Sequence, residues 1–274
     1  QTLRSEVAKA DAPVIFQING PVGLQNWKDY CLDLSGTELY EILSDKSLAV
    51  SEGDAVYGIP YVVEGYGIIY NEDLVAAPDS YEQLFTDEQY AGLVSIPDMS
   101  GTAGPYLLVA LADSLGGSQE NVDPAFELMA AHKDNIAQFY MTSSDVQTAF
   151  TTGEIAVSVF MDMNMPTLTA AGLNVKWVDA KEGSFSAAAT VNVVKDCKNP
   201  ELAQLFVNYL LSDEIQSQVA DVLSEAPTSK NATMSDEARQ YLAYGEDAIS
   251  ALKAFDWNYL NDHKAEWIER FQKE

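Results

Sequence analysis

The sequence predicts an α/β fold, in which strand-like segments alternate with helix-like segments. Short runs rich in β-branched and aromatic residues alternate with stretches that begin at Ser, Asn or Pro, which favour helix starts. Hydrophobic residues make up 47% of the chain, enough for a packed interior. The 274 residues exceed the usual size of a single core, so we expect two lobes.

The predicted strands are short apolar runs bounded by Gly, Pro, Asn or Ser. In chain order they are residues 13–20, 58–71, 92–97, 155–160, 175–178 and 187–194. The second carries glycines at 58, 65 and 67, and a glycine inside a strand marks a bulge, a bend or a close backbone approach. We therefore expect this strand to bend as it passes from one lobe to the other.

The predicted helices lie between these strands. In chain order they are residues 1–10, 38–43, 80–85, 105–113, 124–132, 144–150, 199–223 and 235–274. Ser80 begins a loose capping box, and Pro105 and Pro200 suit the first position of a helix. Gly153 is expected to end the sixth helix. The amphipathic pattern at 199–223 predicts one continuous helix.

The charge is strongly acidic and excludes one class of partner. The chain has 15 Lys and Arg against 42 Asp and Glu, a formal net charge of −27. Nucleic acids are bound by clustered Lys and Arg, so a nucleic-acid partner is not expected. An acidic surface keeps a protein soluble in an external environment and can steer cations. No window approaches the roughly 18 unbroken apolar residues that span a bilayer.

The cysteines and the start of the chain bear on the compartment. Cys31 and Cys197 are too few for a disulfide framework, and each is expected to be a small buried hydrophobe. A single disulfide bond between them is the alternative if the compartment is oxidising. Residues 1–10 have neither a basic n-region nor an apolar h-region, so we expect a mature or trimmed chain. The missing signal therefore does not argue for the cytosol.

The motifs argue against an enzyme. His132 and His263, the two histidines, have no Ser, Cys or acid at a catalytic spacing. No nucleophile elbow, P-loop, dinucleotide fingerprint or zinc-protease motif occurs. Acid pairs such as Glu64 and Asp73 could be imagined as a hydrolase dyad, but chance pairs are expected among 42 acids. No catalytic residue, metal or cofactor is predicted.

Residues that suit a polar ligand follow two of the predicted strands. Ser100, Gly101 and Thr102 form a strand-to-helix turn whose amides could bind a carboxylate, phosphate or hydroxyl, or could simply cap the helix. Asp162 and Asn164 stand among methionines at the carboxyl end of a strand, where open α/β sheets place ligands. The alternative is a loop of core methionines with solvated polar neighbours.

Four aromatic residues are predicted on or near loops: Trp27, Tyr66, Tyr140 and Trp177. Flat rings stack on sugar faces and attract cations. Aromatic side chains are more often part of a core, so two alternatives stay open for each of the four: a contact with the ligand or a place in the core.

Several segments resemble extracellular solute-binding proteins, the ligand-capturing components of bacterial ABC importers. The segments at 19–27 and 53–61 resemble the sugar-type branch of Gram-positive bacteria. Later segments are more similar to the spermidine/putrescine, iron and thiamine branch; these are residues 81–85, 90–98, 171–178, 198–203 and 256–267. Their order and spacing point to the superfamily and only weakly to a ligand.

The resemblance implies a two-lobed, periplasmic-binding-protein-like (type II) α/β fold. Each lobe is expected to hold a mixed sheet flanked by helices, and hinge strands are expected to let the lobes close on a solute. The expected first lobe is residues 1–68 plus 187–226, and the second is 69–186 plus 227–274. Hinges are expected near 66–70, 185–188 and 225–228. Family chains usually open with a further strand and helix, so part of the first lobe is expected to be missing before Gln1.

The resemblance also implies a function without catalysis. A monomer outside the cell, periplasmic or anchored at the surface as a lipoprotein, would capture a small polar solute and deliver it to the permease subunits. A carbohydrate is favoured over a polyamine, because the acidic positions of polyamine members fall on 99–104 and 185–188, which carry no carboxylate. Asp162 and Glu64 could still bind a cation.

The expected ligand contacts combine both lobes. They are Asn19, Trp27, Glu64, Tyr66, Ser100, Gly101, Thr102, Tyr140, Asp162, Asn164 and Ser186. Trp27 and Tyr66 are expected to stack on the solute. Two alternatives stay open: an extracellular glycosidase or other hydrolase, which needs two carboxylates roughly 5–10 Å apart, and an acidic surface adhesin, whose binding would disappear with salt.

Overall fold

The computed structural model describes residues 15–19, 27–37, 40, 43, 46–242, 246–253 and 255–273. The chain divides into two compact units, Gln1–Glu64 with Ala187–Ala251, and Gly65–Ser186 with Leu252–Glu274. The lobe boundaries predicted from the sequence stay a prediction. The predicted lobes and these units share one boundary, between residues 186 and 187. The other two boundaries of the units lie between residues 64 and 65 and between residues 251 and 252.

The strands are numbered in chain order. They are β1 (Ile15–Asn19), β2 (Val50–Glu52), β3 (Ala55–Asn71), β4 (Val94–Pro97), β5 (Ile136–Tyr140), β6 (Val157–Met161), β7 (Val175–Val178), β8 (Phe185–Val193) and β9 (Ala226–Pro227). The α-helices are α1 (Tyr81–Thr86), α2 (Ala103–Ser114), α3 (Asp123–Ala131), α4 (Ser143–Thr152), α5 (Met165–Ala170), α6 (Pro200–Leu210), α7 (Asp213–Leu223), α8 (Glu246–Ser250) and α9 (Trp257–Lys273). The predicted α/β fold class is confirmed.

The first unit is built around the opening half of β3 and the closing part of β8. β1 runs antiparallel to β8, and β2 and β9 run antiparallel to β3. A core cluster includes Ile59 from β3, Val191 and Val193 from β8, and Ala203 and Val207 from α6. Burial of these apolar side chains is the main contribution to the stability of the unit.

The second unit contains a mixed sheet. β4 is parallel to β5 and to β6, whereas the closing half of β3 is antiparallel to β6 and β7. Helix α2 has buried residues all round from Ala103 to Ala112 because it lies inside this unit rather than on its surface. Since the parallel strands β4, β5 and β6 share a direction, their carboxyl ends lie at one edge of the sheet.

β3 is a single strand of 17 residues that runs through all three of its glycines. These glycines allow close approach of neighbouring side chains. A Cβ atom at Gly58 would lie 2.7 Å from the Asn192 side chain, and one at Gly67 would overlap the ring of Trp177. The sequence therefore identified the correct strand, and its glycines serve packing.

Two predicted helices are wrong in their extent. The predicted helix at 199–223 is two helices, because Ser212 adopts an extended conformation (φ −63°, ψ 148°) between α6 and α7. In the predicted tail helix at 235–274, α9 occupies only the last part. Strands β2, β5 and β9 and helix α5 were not predicted. The helices predicted at 1–10 and 38–43 lie outside the described residues, apart from Tyr40 and Leu43.

Cys31 and Cys197 are both buried and both free thiols. The Cys31 thiol donates to the carbonyl of Trp27 at 3.2 Å, and burial raises its pKa to about 11. Both cysteines thus behave as the small buried hydrophobes that were expected. Within the part of the chain that the structure describes, no helix combines the length and apolar character needed to span a membrane.

Candidate functional site

Three loops follow the carboxyl ends of β4, β5 and β6 in the second unit. We call residues 98–102, 140–142 and 162–164 the strand-end site. The Asp98 amide donates to the Tyr140 carbonyl at 2.9 Å, which joins the first two loops. The Ser100 hydroxyl lies 3.3 Å from the sulfur of Met141. This edge is the place where open α/β sheets bind ligands.

The first loop is shaped by a carboxylate that the sequence analysis did not select. One oxygen of Asp98 accepts hydrogen bonds from both the amide and the hydroxyl of Ser100. The carbonyl of Asp98 accepts from the Gly101 amide at 3.0 Å. A Cβ atom at Gly104 would overlap that same carbonyl, so glycine is required there. The Asp-x-Ser turn therefore fixes the loop that leads into α2.

A lysine from the end of the chain reaches the same loop. The ammonium of Lys264, on α9, donates to the Gly101 carbonyl at 2.9 Å. Burial lowers the pKa of Lys264. Thr102 lies at the start of α2 and makes no side-chain capping hydrogen bond. Ser100, Gly101 and Thr102 are therefore together as predicted, with a positive charge beside them.

Asp162 is the most deeply buried acid of the strand-end site. Its side chain is 1% exposed and follows directly after β6. One carboxylate oxygen accepts from the Met163 amide at 2.8 Å. A Cβ atom at Gly65 would lie 2.5 Å from the other oxygen, so the backbone of β3 passes directly against this carboxylate. Glycine at position 65 is the reason that the carboxylate fits.

Asn164 and Tyr140 are tied to the protein itself. The Asn164 amide donates to the Met161 carbonyl at 3.2 Å and accepts from Gln147 at 2.9 Å. The Tyr140 hydroxyl donates to the Val159 carbonyl at 2.9 Å, and burial raises its pKa. These bonds hold the second and third loops in place. The expected contact of both residues with a solute stays a prediction.

Tyr66 and Ser186 lie on β3 and β8. The ring of Tyr66 is 5% exposed and stacks on Phe185, with centroids 5.4 Å apart and planes 7° apart. Ser186 is 7% exposed. Trp177, on β7, donates from its indole nitrogen to Asp179 at 3.0 Å. Since Tyr66 already has an aromatic partner, its expected stacking on a solute stays a prediction.

The other predicted contacts belong to the first unit. The backbone of Asn19 ends β1 opposite Ala189. The ring of Trp27 meets Tyr30 edge-on, with centroids 6.3 Å apart. Glu64 is the last residue of β3 within this unit. The predicted residues thus fall into a group of three here and a group of eight in the second unit.

Glu64 has unusual electrostatics. Burial and then the nearby charge of Glu225 raise its pKa to about 7. Burial also raises the pKa of Glu225. Burial and these two carboxyls together raise the pKa of Tyr61 to about 12. A desolvated carboxyl near a like charge favours its neutral form, so Glu64 changes charge near neutral pH.

The sequence analysis missed Asp98, Glu225 and Lys264. Asp98 lies one residue before the loop that was searched for carboxylates, and its Asp-x-Ser spacing was a usable signal. Lys264 is 163 positions from the carbonyl that it binds. No local pattern could identify it, because only the fold brings α9 to this loop.

Comparison with known proteins identifies relatives over most of the chain. Residues 1–245 match the sequence model of a family described as bacterial extracellular solute-binding protein. The putrescine-binding periplasmic protein SpuD of Pseudomonas aeruginosa is 28% identical over 236 residues, covering 80% of this chain and 61% of SpuD. PotF of Escherichia coli, also a putrescine-binding periplasmic protein, is 26% identical and covers 71% of this chain and 58% of PotF.

A solved structure agrees with these matches. An ABC transporter protein from Clostridium perfringens superposes with a TM-score of 0.81 at 27% identity, covering 98% of this chain and 87% of that one. This chain spans about three fifths of the length of SpuD and PotF. Both are named for an amine, so the expectation that a carbohydrate is favoured finds no support in them. The family is one of solute-binding proteins, which also leaves the hydrolase alternative without support.

Proposed function

Because the chain belongs to the family of bacterial extracellular solute-binding proteins, we propose that it captures a small aliphatic amine of the polyamine class. It hands this solute to the membrane subunits of an ABC importer. The names of SpuD and PotF support the solute class. The observation that carries the proposal in this chain is the buried carboxylate of Asp162 at the strand ends.

A buried carboxylate favours a cationic ligand over a neutral one. When it is ionised, its negative charge is screened little by solvent at 1% exposure, so its attraction for an ammonium group is stronger than at the surface. A charged hydrogen bond of this kind contributes about 1.5–3 kcal/mol. A sugar hydroxyl would gain less from the same carboxylate, since it carries no charge.

The charge of the whole chain supports the same class. A formal net charge of −27 raises the local concentration of cations and speeds their association. Asp98 also supplies a carboxylate next to the 99–104 loop, which was expected to lack one. The ammonium of Lys264 lies at that loop and would repel a second ammonium group of the solute. A solute with one ammonium and one carboxylate, such as 4-aminobutyrate, is therefore the most informative competitor.

Isothermal titration calorimetry with putrescine, spermidine, 4-aminobutyrate and maltose tests the proposal. We expect putrescine or spermidine to bind more tightly than 4-aminobutyrate and maltose. Asp162→Asn should weaken putrescine binding by about 10- to 100-fold, because it removes the charge and keeps the shape. The matched control is Glu127→Gln, which removes an exposed acid on α3.

Three results would contradict the proposal. Tighter binding of maltose than of any amine would favour a carbohydrate as the solute. Equal putrescine affinities for the protein and for Asp162→Asn would show that this carboxylate does not bind the amine. If 4-aminobutyrate binds best, the solute class is zwitterionic and the polyamine assignment fails.

A further inference from the structure

The strand-end site carries a methionine that is open to solvent. All seven methionines lie in the described part of the chain, and Met141 is 58% exposed. Four of the others are at most 9% exposed, and two are half-buried. We propose that Met141 is an oxidation site, at which peroxide forms a sulfoxide that loosens the loop at 98–102 and weakens solute binding.

The reaction requires an accessible thioether and a peroxide. A lone pair of the sulfur attacks one oxygen of hydrogen peroxide, an S–O bond forms and the O–O bond breaks. The departing hydroxide takes the proton of the transferred oxygen and leaves as water, so the sulfur loses two electrons and the peroxide gains them. Proteins of an extracellular family are not shielded by the reducing pools of the cytosol. Since oxidation follows exposure, Met141 should react before the buried methionines.

The sulfur of Met141 contacts the loop that the Asp-x-Ser turn fixes. The Ser100 hydroxyl lies 3.3 Å from this sulfur and donates to the carboxylate of Asp98. A hydroxyl has one hydrogen and a thioether is a weak acceptor, so this hydrogen belongs to Asp98. Oxidation replaces the apolar thioether by a polar sulfoxide, whose oxygen is a stronger acceptor. The sulfoxide therefore competes with Asp98 for the Ser100 hydroxyl.

The backbone on both sides of Met141 is held by the protein. Tyr140 is anchored through its hydroxyl, and Thr142 begins α4 with a complete capping box. The change is therefore expected in the neighbouring loop. It should appear at the amides of Ser100 and Gly101, which are hydrogen-bonded in the Asp-x-Ser turn.

The effect on a solute rests on the proposed function. The loop at 98–102 carries the carboxylate of Asp98 and the Gly101 carbonyl that accepts from Lys264. Loss of one hydrogen bond that positions this loop should weaken putrescine binding by about two- to tenfold. Sulfoxide reductases restore the thioether, so the loss should be reversible.

Peptide mapping by mass spectrometry after treatment with hydrogen peroxide tests the oxidation site. Met141 should be oxidised at least about tenfold faster than Met99, which is 1% exposed. Hydrogen exchange of the Ser100 and Gly101 amides, measured without ligand, should become about two- to tenfold faster in the oxidised protein. Oxidation of Met99 at the same rate as Met141, or unchanged exchange at these amides, would overturn the inference.

Putrescine affinity before and after peroxide tests the effect on the solute, with each variant compared with its own untreated form. The unaltered protein should lose about two- to tenfold. Met129→Leu, which removes a buried sulfur on α3, should show the same loss. The two methionine sulfoxide reductases, one for each epimer, should restore both proteins. Met141→Leu has no sulfur to oxidise and Ser100→Ala has no hydroxyl to attract, so both should show a smaller loss.

Failure of this inference and failure of the proposed function give different results. An equal peroxide-dependent loss in Met141→Leu and in the unaltered protein would overturn the inference. If the untreated protein binds no putrescine, the proposed function fails, and the mapping and exchange measurements still decide whether Met141 is the site. If putrescine binds and Met141 is not oxidised before Met99, this inference alone fails.

Discussion

At the scale of single residues, the carboxyl of Glu64 links pH to stability. Its pKa is about 7 in the folded chain, because of burial and Glu225, and about 4.3 in an unfolded chain. Between these values the folded state holds a proton that the unfolded state has released. Stability is therefore expected to fall as pH rises through this window.

The substitution Glu64→Gln tests this linkage. At pH 8 it should raise the unfolding free energy by on the order of 2 kcal/mol, since it removes a charge that burial disfavours. The gain should shrink toward zero near pH 4.5. Melting temperatures of both proteins from pH 4.5 to 8 measure it, with the exposed Glu237→Gln as control. A gain that is the same at every pH would contradict the assignment.

A second prediction at the scale of single residues concerns Gly65. A Cβ atom there would lie 2.5 Å from Asp162, and the short buried side chain of Asp162 has no flexible end that could move away. Gly65→Ala should cost about 1–3 kcal/mol of stability. It should also weaken putrescine binding at least as much as Asp162→Asn does.

The control for Gly65→Ala is Gly36→Ala, where a Cβ atom would meet nothing within 4 Å. Chemical denaturation and calorimetry measure both effects. Unchanged stability together with unchanged affinity in Gly65→Ala would show that the carboxylate is not held as described. The sequence predicted a special glycine at this position, but only the fold identifies Asp162 as the reason.

At the scale of elements, most strands and helix starts could be predicted because their signals are local. Ser80 caps α1 by accepting from the Gln83 amide, and Gly153 ends α4 in a left-handed conformation, as their types suggest. The break at Ser212 could not be predicted from periodicity, because the apolar pattern continues through it. Strand β5 was missed because it is not a continuous apolar run, and only its last residue, Tyr140, is buried.

Gln216 shows what periodicity cannot reveal. Its side chain is fully buried on α7 and bonds to several backbone groups. The amide nitrogen donates to the carbonyls of Tyr61 and Leu210 at 3.0 and 2.9 Å. The oxygen accepts from the amides of Thr228 and Ser229 at 2.9 and 3.1 Å. One side chain therefore joins β3, the end of α6 and the residues after β9.

Gln216→Ala should lower the unfolding free energy by about 2–4 kcal/mol, because it leaves buried backbone groups without partners. Gln218→Ala, two positions along the same helix at an exposed residue, should change it by less than about 0.5 kcal/mol. Urea denaturation measures both variants. Equal losses would mean that the helix, rather than the hydrogen bonds, determines the effect.

At the scale of the whole molecule, the fold class followed from the alternation of strands and helices, and the family from the order of several weak segments. The proposed solute class did not follow. Asp98 lies one residue before the 99–104 loop, and the pairing of Gly65 with Asp162 spans 97 positions of the chain. Contacts between distant parts of a sequence leave no local pattern, and the sequence alone favoured a carbohydrate, which the relatives named for putrescine do not support.

Equilibrium dialysis with radiolabelled putrescine tests the central claim most directly. We predict that the protein retains close to one equivalent of label at saturation, that excess unlabelled putrescine displaces it, and that the released label is chemically unchanged. Maltose at the same excess should not displace it. Absence of retained label, or recovery of the label as a different compound, would contradict the account.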